Sequence, residues 1–309
     1  MVRMPLQGPA KAPPMSRRSA SAWRRIIGHK RHCGNGEACV ALPDRGELRP
    51  VLSLRAMFFT LLPKVLLSRT TGMLVSLPLP TPLRAPFYRW FARRYGAELA
   101  DLNDPLSSFR SLQAFFQRAL NSGARPIATT PLVWPCDGRI VTSGPIGGDR
   151  IPQIKGNDYS VADLVGDADL AKALAGGSQA TIYLAPGDYH RVHIPFAANI
   201  EHVRAIRGTL FPVNPKAVAC IDRLFVRNSR HVFRCRLADG RLAVVAMVGA
   251  FNVGDTRVTV QPGQTLIAGG ELGRFGFGST AVVILGKGIT EFPAVASQTR
   301  VQMGGAVPN

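Results

Sequence analysis

From about Val133 onward the chain consists of short runs rich in β-branched and apolar residues, separated by turns rich in Gly, Pro and Asp. Runs of this length and composition predict strands. Eight strands are predicted: Arg139–Ser143, Ala180–Leu184, Val192–Ile194, Ile200–Ile206, His231–Arg236, Leu242–Val248, Arg257–Val260 and Thr280–Leu285. Many short strands with few helices indicate an α+β, mainly β fold, in which N-terminal amphipathic helices precede an antiparallel β-sandwich or barrel-like body.

Helices are predicted at three places in and just before this strand series. One lies near Ser107 to Leu120, with Ser107 or Ser108 as its N-cap. A helical insert from Val161 to Ala175 and a shorter segment from Pro215 to Arg223 interrupt the strands. The sequence Ala238-Asp239-Gly240-Arg241 is typical of a tight hairpin turn between two strands.

A segment that begins at Phe58 predicts an amphipathic helix. Its apolar residues follow the spacing i, i+3, i+4, i+7 and i+8, which places them on one helical face: Phe58, Leu61, Leu62, Val65 and Leu66. Charged residues and prolines interrupt the segment, whereas a membrane-spanning helix needs about 20 nearly uncharged residues. We therefore expect a helix that does not cross a bilayer.

The segment from Pro86 to Tyr95 interleaves aromatic side chains with Arg89, Arg93 and Arg94. This combination is typical of a helix that lies in the headgroup layer of a membrane. The alternative is a helix that packs on its own domain, with its arginines simply solvated.

The net charge of +19 and a pI near 10.9 predict an anionic partner, either nucleic acid or a membrane surface. The sequence contains no zinc finger, no RNA-binding aromatic motif and no recognition-helix pattern. We therefore expect an anionic membrane surface and no nucleic acid. The five cysteines show neither metal-site spacing nor a disulfide framework, which favours a reduced, intracellular protein.

The stretch from Gly273 to Thr280 is a candidate for chemistry on the chain itself. Gly278 allows backbone conformations that bring its carbonyl toward the hydroxyl of Ser279. An N-to-O acyl shift there, followed by β-elimination and hydrolysis, would convert residue 279 into a pyruvoyl group and release ammonia. The alternative is a plain turn before a strand.

Two upstream segments supply the partners that acyl chemistry needs. Asp137 stands between Pro135 and Gly138, and His190 and His193 follow a Pro-Gly turn. With Ser279 they would provide an orienting acid, a base and a nucleophile. We expect a turn at His190, with His193 entering the next strand. Alternatively, Asp137 belongs to a hairpin turn, and the histidines are structural or form a zinc pair that Asp137 completes.

In combination these motifs resemble those of the bacterial phosphatidylserine decarboxylases, pyruvoyl-dependent enzymes that make phosphatidylethanolamine. The resemblance extends from about Phe58 to Leu285. It covers Leu61 to Lys64, Ser108 to Arg118, Pro135 to Gly138, Lys155 to Ser160, Asp188 to Pro195, Phe211 to Asn214 and the final Gly-Ser-Thr. Phe277 stands where the family often has Leu, and the first fifty-odd residues have no counterpart that we recognise.

The resemblance implies a self-processing enzyme. It implies cleavage between Gly278 and Ser279, with residue 279 becoming a covalent pyruvoyl cofactor. It assigns His193 and Asp137 as the base and orienting acid of this cleavage, and His190 to the handling of substrate and proton during decarboxylation. No metal is implied.

The same resemblance implies the setting of the reaction. Phosphatidylserine would be converted to phosphatidylethanolamine and CO2 by a peripheral protein at the cytoplasmic face of the cell membrane. The large and small fragments of one chain would stay associated, and a homodimer is suggested.

The predicted chemistry explains why a pyruvoyl group is needed. Decarboxylation leaves electron density on the amino acid carbon, and a carbonyl joined to the substrate amine as a Schiff base can accept it. A histidine can then return a proton to that carbon. Two other functions stay open: a zinc-dependent hydrolase that uses His190, His193 and Asp137, and a non-enzymatic basic lipid-binding module. The hydrolase would lack a glutamate base and leave Ser279 without a role.

The chain is predicted to have three parts. Residues 1–56 contain eleven Lys and Arg against three Asp and Glu, which with their Pro, Gly and Ser predicts a disordered basic extension. They contain no uninterrupted apolar stretch like that of a secretory signal; we expect a dispensable extension before Met57, with a mitochondrial-type presequence as the alternative. Residues 57–125 form a helical membrane-associating region, and residues 126–309 a β-rich catalytic domain.

Overall fold

The computed structural model describes residues 72–153, 157–250, 256–276 and 279–308. The predicted extension of residues 1–56 and the predicted helix that begins at Phe58 lie outside the described residues, as does Gly278. Residues 72–76 are helical. None of the helices within the described ranges combines the length and the apolar character that crossing a bilayer requires.

The β-rich body contains thirteen strands among the described residues. In chain order they are β1 Gly138–Pro145, β2 Arg150–Pro152, β3 Asp158–Ser160, β4 Ser178–Leu184, β5 Arg191–His193, β6 Ala198–Ile206, β7 Arg230–Arg236, β8 Leu242–Gly249, β9 Thr256–Val258, β10 Thr265–Leu266, β11 Glu271–Phe275, β12 Ser279–Leu285 and β13 Arg300–Val301.

Besides the helical residues 72–76, the described residues contain six α-helices: α1 Thr81–Tyr95, α2 Leu112–Phe116, α3 Val161–Val165, α4 Ala168–Leu174, α5 Pro215–Cys220 and α6 Leu224–Arg227. A short 3₁₀ helix spans Leu106–Ser108.

An eight-stranded antiparallel sheet forms the centre of the body, in the order β10-β6-β7-β8-β12-β4-β1-β13. A second, three-stranded sheet has the order β5-β11-β9, and side chains from both sheets enter one core cluster. This arrangement confirms the predicted α+β, mainly β fold with sandwich-like packing. Within the described residues the large sheet stays open between its outer strands β10 and β13, so it does not close into a barrel.

The eight predicted strands are all present, with ends that shift by a few residues. The predicted hairpin is also confirmed, because β7 and β8 pair around Gly240, whose φ of 85° favours glycine. Five short strands were not predicted. β11 is an example: its sequence mixes Glu, Gly and Arg, and only its pairing with β5 and β9 makes it a strand.

Two predicted helices differ from the structure. The helix expected near Ser107 to Leu120 is present only as the short α2, because the chain first forms a 3₁₀ turn and extends at Phe109, so the predicted start and cap are wrong. The cap is Ser111, whose Oγ accepts a hydrogen bond from the Ala114 N–H at 3.2 Å. The helix expected from Val161 to Ala175 is two helices, because Gly166 adopts a φ of 70° and ends the first.

A second, smaller core consists of aromatic side chains from α1 and α2 and the segment between them. Tyr88 and Phe115 stack with ring centroids 4.7 Å apart, and Phe91, Phe109 and Phe116 complete the cluster. This core fixes the position of the residues that follow α2, and those residues reach the candidate active site.

Candidate active site

Ser279 is the first residue of β12 and is fully buried. It lies opposite Leu184 of β4 on one side and Gly249 of β8 on the other. Strands on both sides therefore fix the backbone of residue 279. The Gly278 half of the predicted cleavage bond lies outside the described residues.

His190 is the described side chain that meets the Ser279 hydroxyl. Its Nδ1 lies 3.5 Å from Ser279 Oγ, and its Nε2 lies 3.1 Å from the carbonyl oxygen of Ala185. A carbonyl oxygen only accepts hydrogen bonds, so Nε2 carries the hydrogen and the lone pair of Nδ1 points to the serine. Burial, assisted by the positive charge of Arg118, lowers the pKa of His190 to about 3. The imidazole is therefore a neutral acceptor near physiological pH.

His193 is the last residue of β5 rather than an early one, and the turn that precedes this strand lies at residues 186–187 instead of at His190. Its Nδ1–H donates to the carbonyl of Gly269 at 2.7 Å, and its Nε2 lies 3.2 Å from the Tyr189 hydroxyl. Burial lowers the pKa of His193, and the hydrogen bond to Gly269 opposes this shift. The ring is thus held from both nitrogens.

Asp137 is buried immediately before β1 and does not belong to a hairpin turn, since Gly138 begins the strand. Its carboxylate accepts hydrogen bonds from the Arg125 guanidinium at 2.7 and 3.1 Å, and from the Met303 N–H at 2.9 Å. Gly138 is required for close packing, because a Cβ there would lie 2.5 Å from the carbonyl oxygen of Tyr183.

The four predicted site residues form two groups. His190 and Ser279 are in direct contact. Asp137 and His193 are linked through the backbone, because the His193 N–H donates to the carbonyl of Pro135 at 2.8 Å. They are also linked by charge, because the Asp137 carboxylate raises the pKa of His193 against the effect of burial. Among the described contacts the side chain that bonds to the Asp137 carboxylate is Arg125, and the roles assigned to Asp137 and His193 stay predictions.

Sequence reasoning missed two arginines that hold residues 187–193 in place. These residues are called the histidine segment below. Arg118 donates to the carbonyls of Gly187 and Asp188, both at 3.0 Å, and burial lowers its pKa to about 10. In return Arg191 donates to the carbonyls of Gln117 and Arg118 at 2.9 and 3.1 Å. These bonds join side chains to backbone some seventy residues away, and they leave no pattern in the sequence.

The histidine pair and Asp137, which were considered as a zinc site, do not direct their polar atoms to a common position. His190, His193 and Asp137 direct their polar atoms to Ser279, Tyr189 and Arg125 respectively. In the part of the chain that the structure describes, no group of three His, Cys, Asp or Glu residues is placed to hold a metal ion.

Comparison with known proteins places this site in a family. The family model for phosphatidylserine decarboxylase matches residues 112–308, a range that includes all four predicted site residues. The chain belongs to the phosphatidylserine decarboxylase family. The resemblance inferred from the motifs is confirmed, and the chain is an enzyme of this carboxy-lyase family.

Several relatives carry the name phosphatidylserine decarboxylase proenzyme. The protein of Anaeromyxobacter sp. (strain K) is 38% identical over 272 residues, which is 79% of this chain and 94% of the relative. That of Halorhodospira halophila is 38% identical over 278 residues, covering 84% of this chain and 91% of the relative. That of Pseudomonas aeruginosa is 38% identical over 274 residues, with 79% and 92% covered.

Proposed function

We propose that this protein is a proenzyme that cuts itself between Gly278 and Ser279 and then converts phosphatidylserine to phosphatidylethanolamine and CO2. The observation that carries the proposal is the buried contact between the Ser279 hydroxyl and the Nδ1 lone pair of His190. The word proenzyme in the names of its relatives supports self-processing.

The self-cleavage uses atoms of the chain and one water. The Ser279 oxygen attacks the Gly278 carbonyl carbon, its proton passes through a neighbouring base to the nitrogen of residue 279, and the peptide C–N bond is replaced by an ester. Loss of the Cα proton of residue 279 then expels the Gly278 carboxylate and leaves dehydroalanine. Water adds to the corresponding imine and ammonia leaves, so the small fragment begins with a pyruvoyl group.

The base of this cleavage is assigned by resemblance to His193, with Asp137 as its acid. His190 is the imidazole in contact with the serine, and burial keeps it unprotonated. The position next to residue 279 also suits the role in decarboxylation that the resemblance implies. There a proton must return to the substrate carbon after CO2 leaves, and His190 is the described imidazole in contact with residue 279.

The site fits a pyruvoyl group formed in place. Residue 279 is already buried between β4 and β8 and beside a neutral imidazole, so the group would need no separate binding pocket. When present, the pyruvoyl carbonyl supplies the electron acceptor for loss of CO2. The surrounding burial would keep water from the reacting carbon.

The reaction is proposed to occur at the cytoplasmic face of the cell membrane, with the protein bound peripherally and assembled as a homodimer. Apolar side chains of residues 72–76 and α1 support membrane contact: Met73 is 71% exposed, Leu83 57% and Trp90 52%. Arg89 and Arg93 are exposed on the same helix. Apolar and cationic side chains together suit an anionic lipid surface. The homodimer is proposed from the family resemblance alone.

Denaturing gels and mass spectrometry of the purified full chain test the proposed function. We expect fragments of 278 and 31 residues, the smaller with a blocked N-terminus. Ser279→Ala should leave one intact chain, since no hydroxyl is available to attack, and Asp137→Asn or His193→Gln should impair the cut. Ser178→Ala is the matched control, because Ser178 is also a buried strand serine but bonds to the Phe292 N–H. Active protein that consists of one unbroken chain with an ordinary serine at 279 would contradict the proposal.

A further inference from the structure

Arg125 is a buried cation between two carboxylates. Its Nε lies 3.1 Å from both oxygens of Asp137, and its Nη2 lies 2.7 Å from Oδ2 of the same residue. Its Nη1 donates to Asp101 Oδ2 at 2.8 Å and to the Ala124 carbonyl at 2.8 Å. The side chains of Arg125 and Asp137 are only 6% and 7% exposed, so solvent screens this pair weakly.

Asp137 also reaches the C-terminal segment. Its Oδ1 accepts a hydrogen bond from the Met303 N–H, and residue 303 belongs to the 31-residue fragment that the proposed cleavage produces. Both oxygens are therefore engaged by groups of fixed position. Together these bonds define the orientation of the carboxylate that the family resemblance places in the self-cleavage.

We propose that Arg125 is a positioning residue for self-cleavage, which holds the Asp137 carboxylate in its orientation while Asp101 holds Arg125. This inference rests on the proposed function. Arg125 touches neither Ser279 nor His190 among the described contacts, so its effect is exerted through Asp137. Without the guanidinium, the Asp137 carboxylate loses its two-pronged partner and is left buried and unpaired, so its orientation is no longer fixed.

The other ionisable groups near Asp137 would respond to the same change. They come from the segments before β1, after α2 and around the histidines: Cys136, Arg118, Asp188, Tyr189 and His193. Arg118 supplies a second positive charge, but its hydrogen bonds go to backbone carbonyls. Arg125 is therefore the cation that bonds directly to the Asp137 carboxylate.

The test follows self-cleavage of the newly synthesised full chain in cell-free translation, over a series of pH values. We expect Arg125→Gln to slow cleavage by roughly 10- to 100-fold, as is common when a partner that orients a functional group is removed. The pH profile of cleavage should also change, because a positive charge next to the site is removed. Arg125→Lys should lie between wild type and Arg125→Gln, since it keeps the charge but not the two-pronged geometry.

Chemical rescue separates positioning from a general structural role. Guanidinium chloride at a low, non-denaturing concentration should partly restore cleavage of Arg125→Gln. Asp101→Asn should slow cleavage in the same direction but less, because Asp101 is the more exposed partner. Arg230→Gln is the matched control: Arg230 is another buried arginine, but it bonds to the carbonyls of Leu164 and Asn228. It should lower stability without moving the pH profile.

The outcomes separate this inference from the proposed function. An uncut wild-type chain would refute self-processing itself. The positioning role would be overturned if the wild-type chain is cut and Arg125→Gln is cut at the same rate with the same pH profile. If circular dichroism shows that Arg125→Gln does not fold, Arg125→Lys becomes the test of the positioning role. Cleavage of Arg125→Lys at the wild-type rate and with the wild-type pH profile would refute the need for bidentate contact.

Discussion

Burial decides the chemistry of His190. The imidazole is enclosed by Phe116, whose ring centroid lies 4.9 Å away, and it faces Arg118, whose charge further disfavours protonation. The Ala185 carbonyl fixes the hydrogen on Nε2. A neutral ring of fixed tautomer places one lone pair beside residue 279, where decarboxylation requires a proton to be exchanged.

His190→Gln should separate decarboxylation from the other properties of the protein. Glutamine keeps a polar side chain of similar length but cannot exchange a proton near neutral pH. We expect processed His190→Gln protein to lose roughly 100- to 10,000-fold in the rate of CO2 release, the usual contribution of positioned proton transfer. CO2 release from phosphatidylserine in detergent micelles measures this rate. A processed variant that retains the wild-type rate would refute the role.

The depressed pKa of His190 also predicts how stability depends on pH. In the unfolded chain a histidine has a pKa near 6.5, whereas burial lowers that of folded His190 to about 3. Between these values the unfolded state binds more protons, so the free energy of unfolding should fall as the pH is lowered. The slope from this one group is about 1.4 kcal/mol per pH unit.

Comparison of Ser279→Ala with the double variant Ser279→Ala, His190→Gln isolates this contribution, because neither protein is cut. Urea unfolding between pH 6.5 and 4 should show a shallower pH dependence in the double variant. The raised pKa of buried Asp188 acts in the opposite direction, but it is common to both proteins. Equal slopes in the two proteins would show that His190 is not protonated preferentially in the unfolded state.

At the scale of elements, the end of α1 and the histidine segment pack together at Gly187. A Cβ at this position would collide with the carbonyl oxygen of Tyr95 and lie 3.0 Å from the Ala97 nitrogen. Gly187→Ala should therefore force these two segments apart. We expect a loss of about 1–3 kcal/mol in stability, the usual cost of overpacking, and slower self-cleavage because the histidines move.

Thermal unfolding and the rate of chain cleavage test this prediction together. Gly147→Ala is the matched control, since a Cβ there meets nothing within 4 Å and its φ is not in the left-handed region. If Gly187→Ala melts and cleaves like Gly147→Ala, the close approach of α1 to the histidine segment is not important.

The sequence predicted the strands whose own residues form an apolar, strand-like run. It missed the strands and contacts that depend on pairing with a distant segment of the chain. β8 and β12 are long runs of apolar residues with several Val or Ile, so their sequences sufficed. Within the site, the motifs identified Asp137, His190, His193 and Ser279. The contacts of Asp137 with Met303 and of Arg118 with Gly187 join residues 166 and 69 positions apart. Only the folded chain reveals such contacts, because neither partner has a local signature.

At the scale of the whole molecule, the proposed cut lies where it need not release the small fragment. β12 pairs along its full length with β4 and β8, and β13 pairs with β1. Residues 132–134 also exchange backbone hydrogen bonds with residues 304–307. The small fragment therefore contributes a central strand of the large sheet, and the cofactor formed at its first residue would stay beside His190.

The proposed contact of α1 with the membrane can be tested by mutation. Trp90 and Arg89 are exposed on α1, whereas Tyr88 and Phe91 of the same helix are buried in the aromatic core. Replacement of the exposed residues should spare the fold. We expect Trp90→Ser and Arg89→Gln each to weaken binding to anionic lipid vesicles; a basic residue near such a surface contributes about 1 kcal/mol, or roughly five-fold. Added salt should reduce the effect of Arg89→Gln.

Arg207→Gln is the control, because it removes the same charge from an exposed position just after β6. Equal vesicle binding by all three variants and the wild type would refute α1 as the membrane contact.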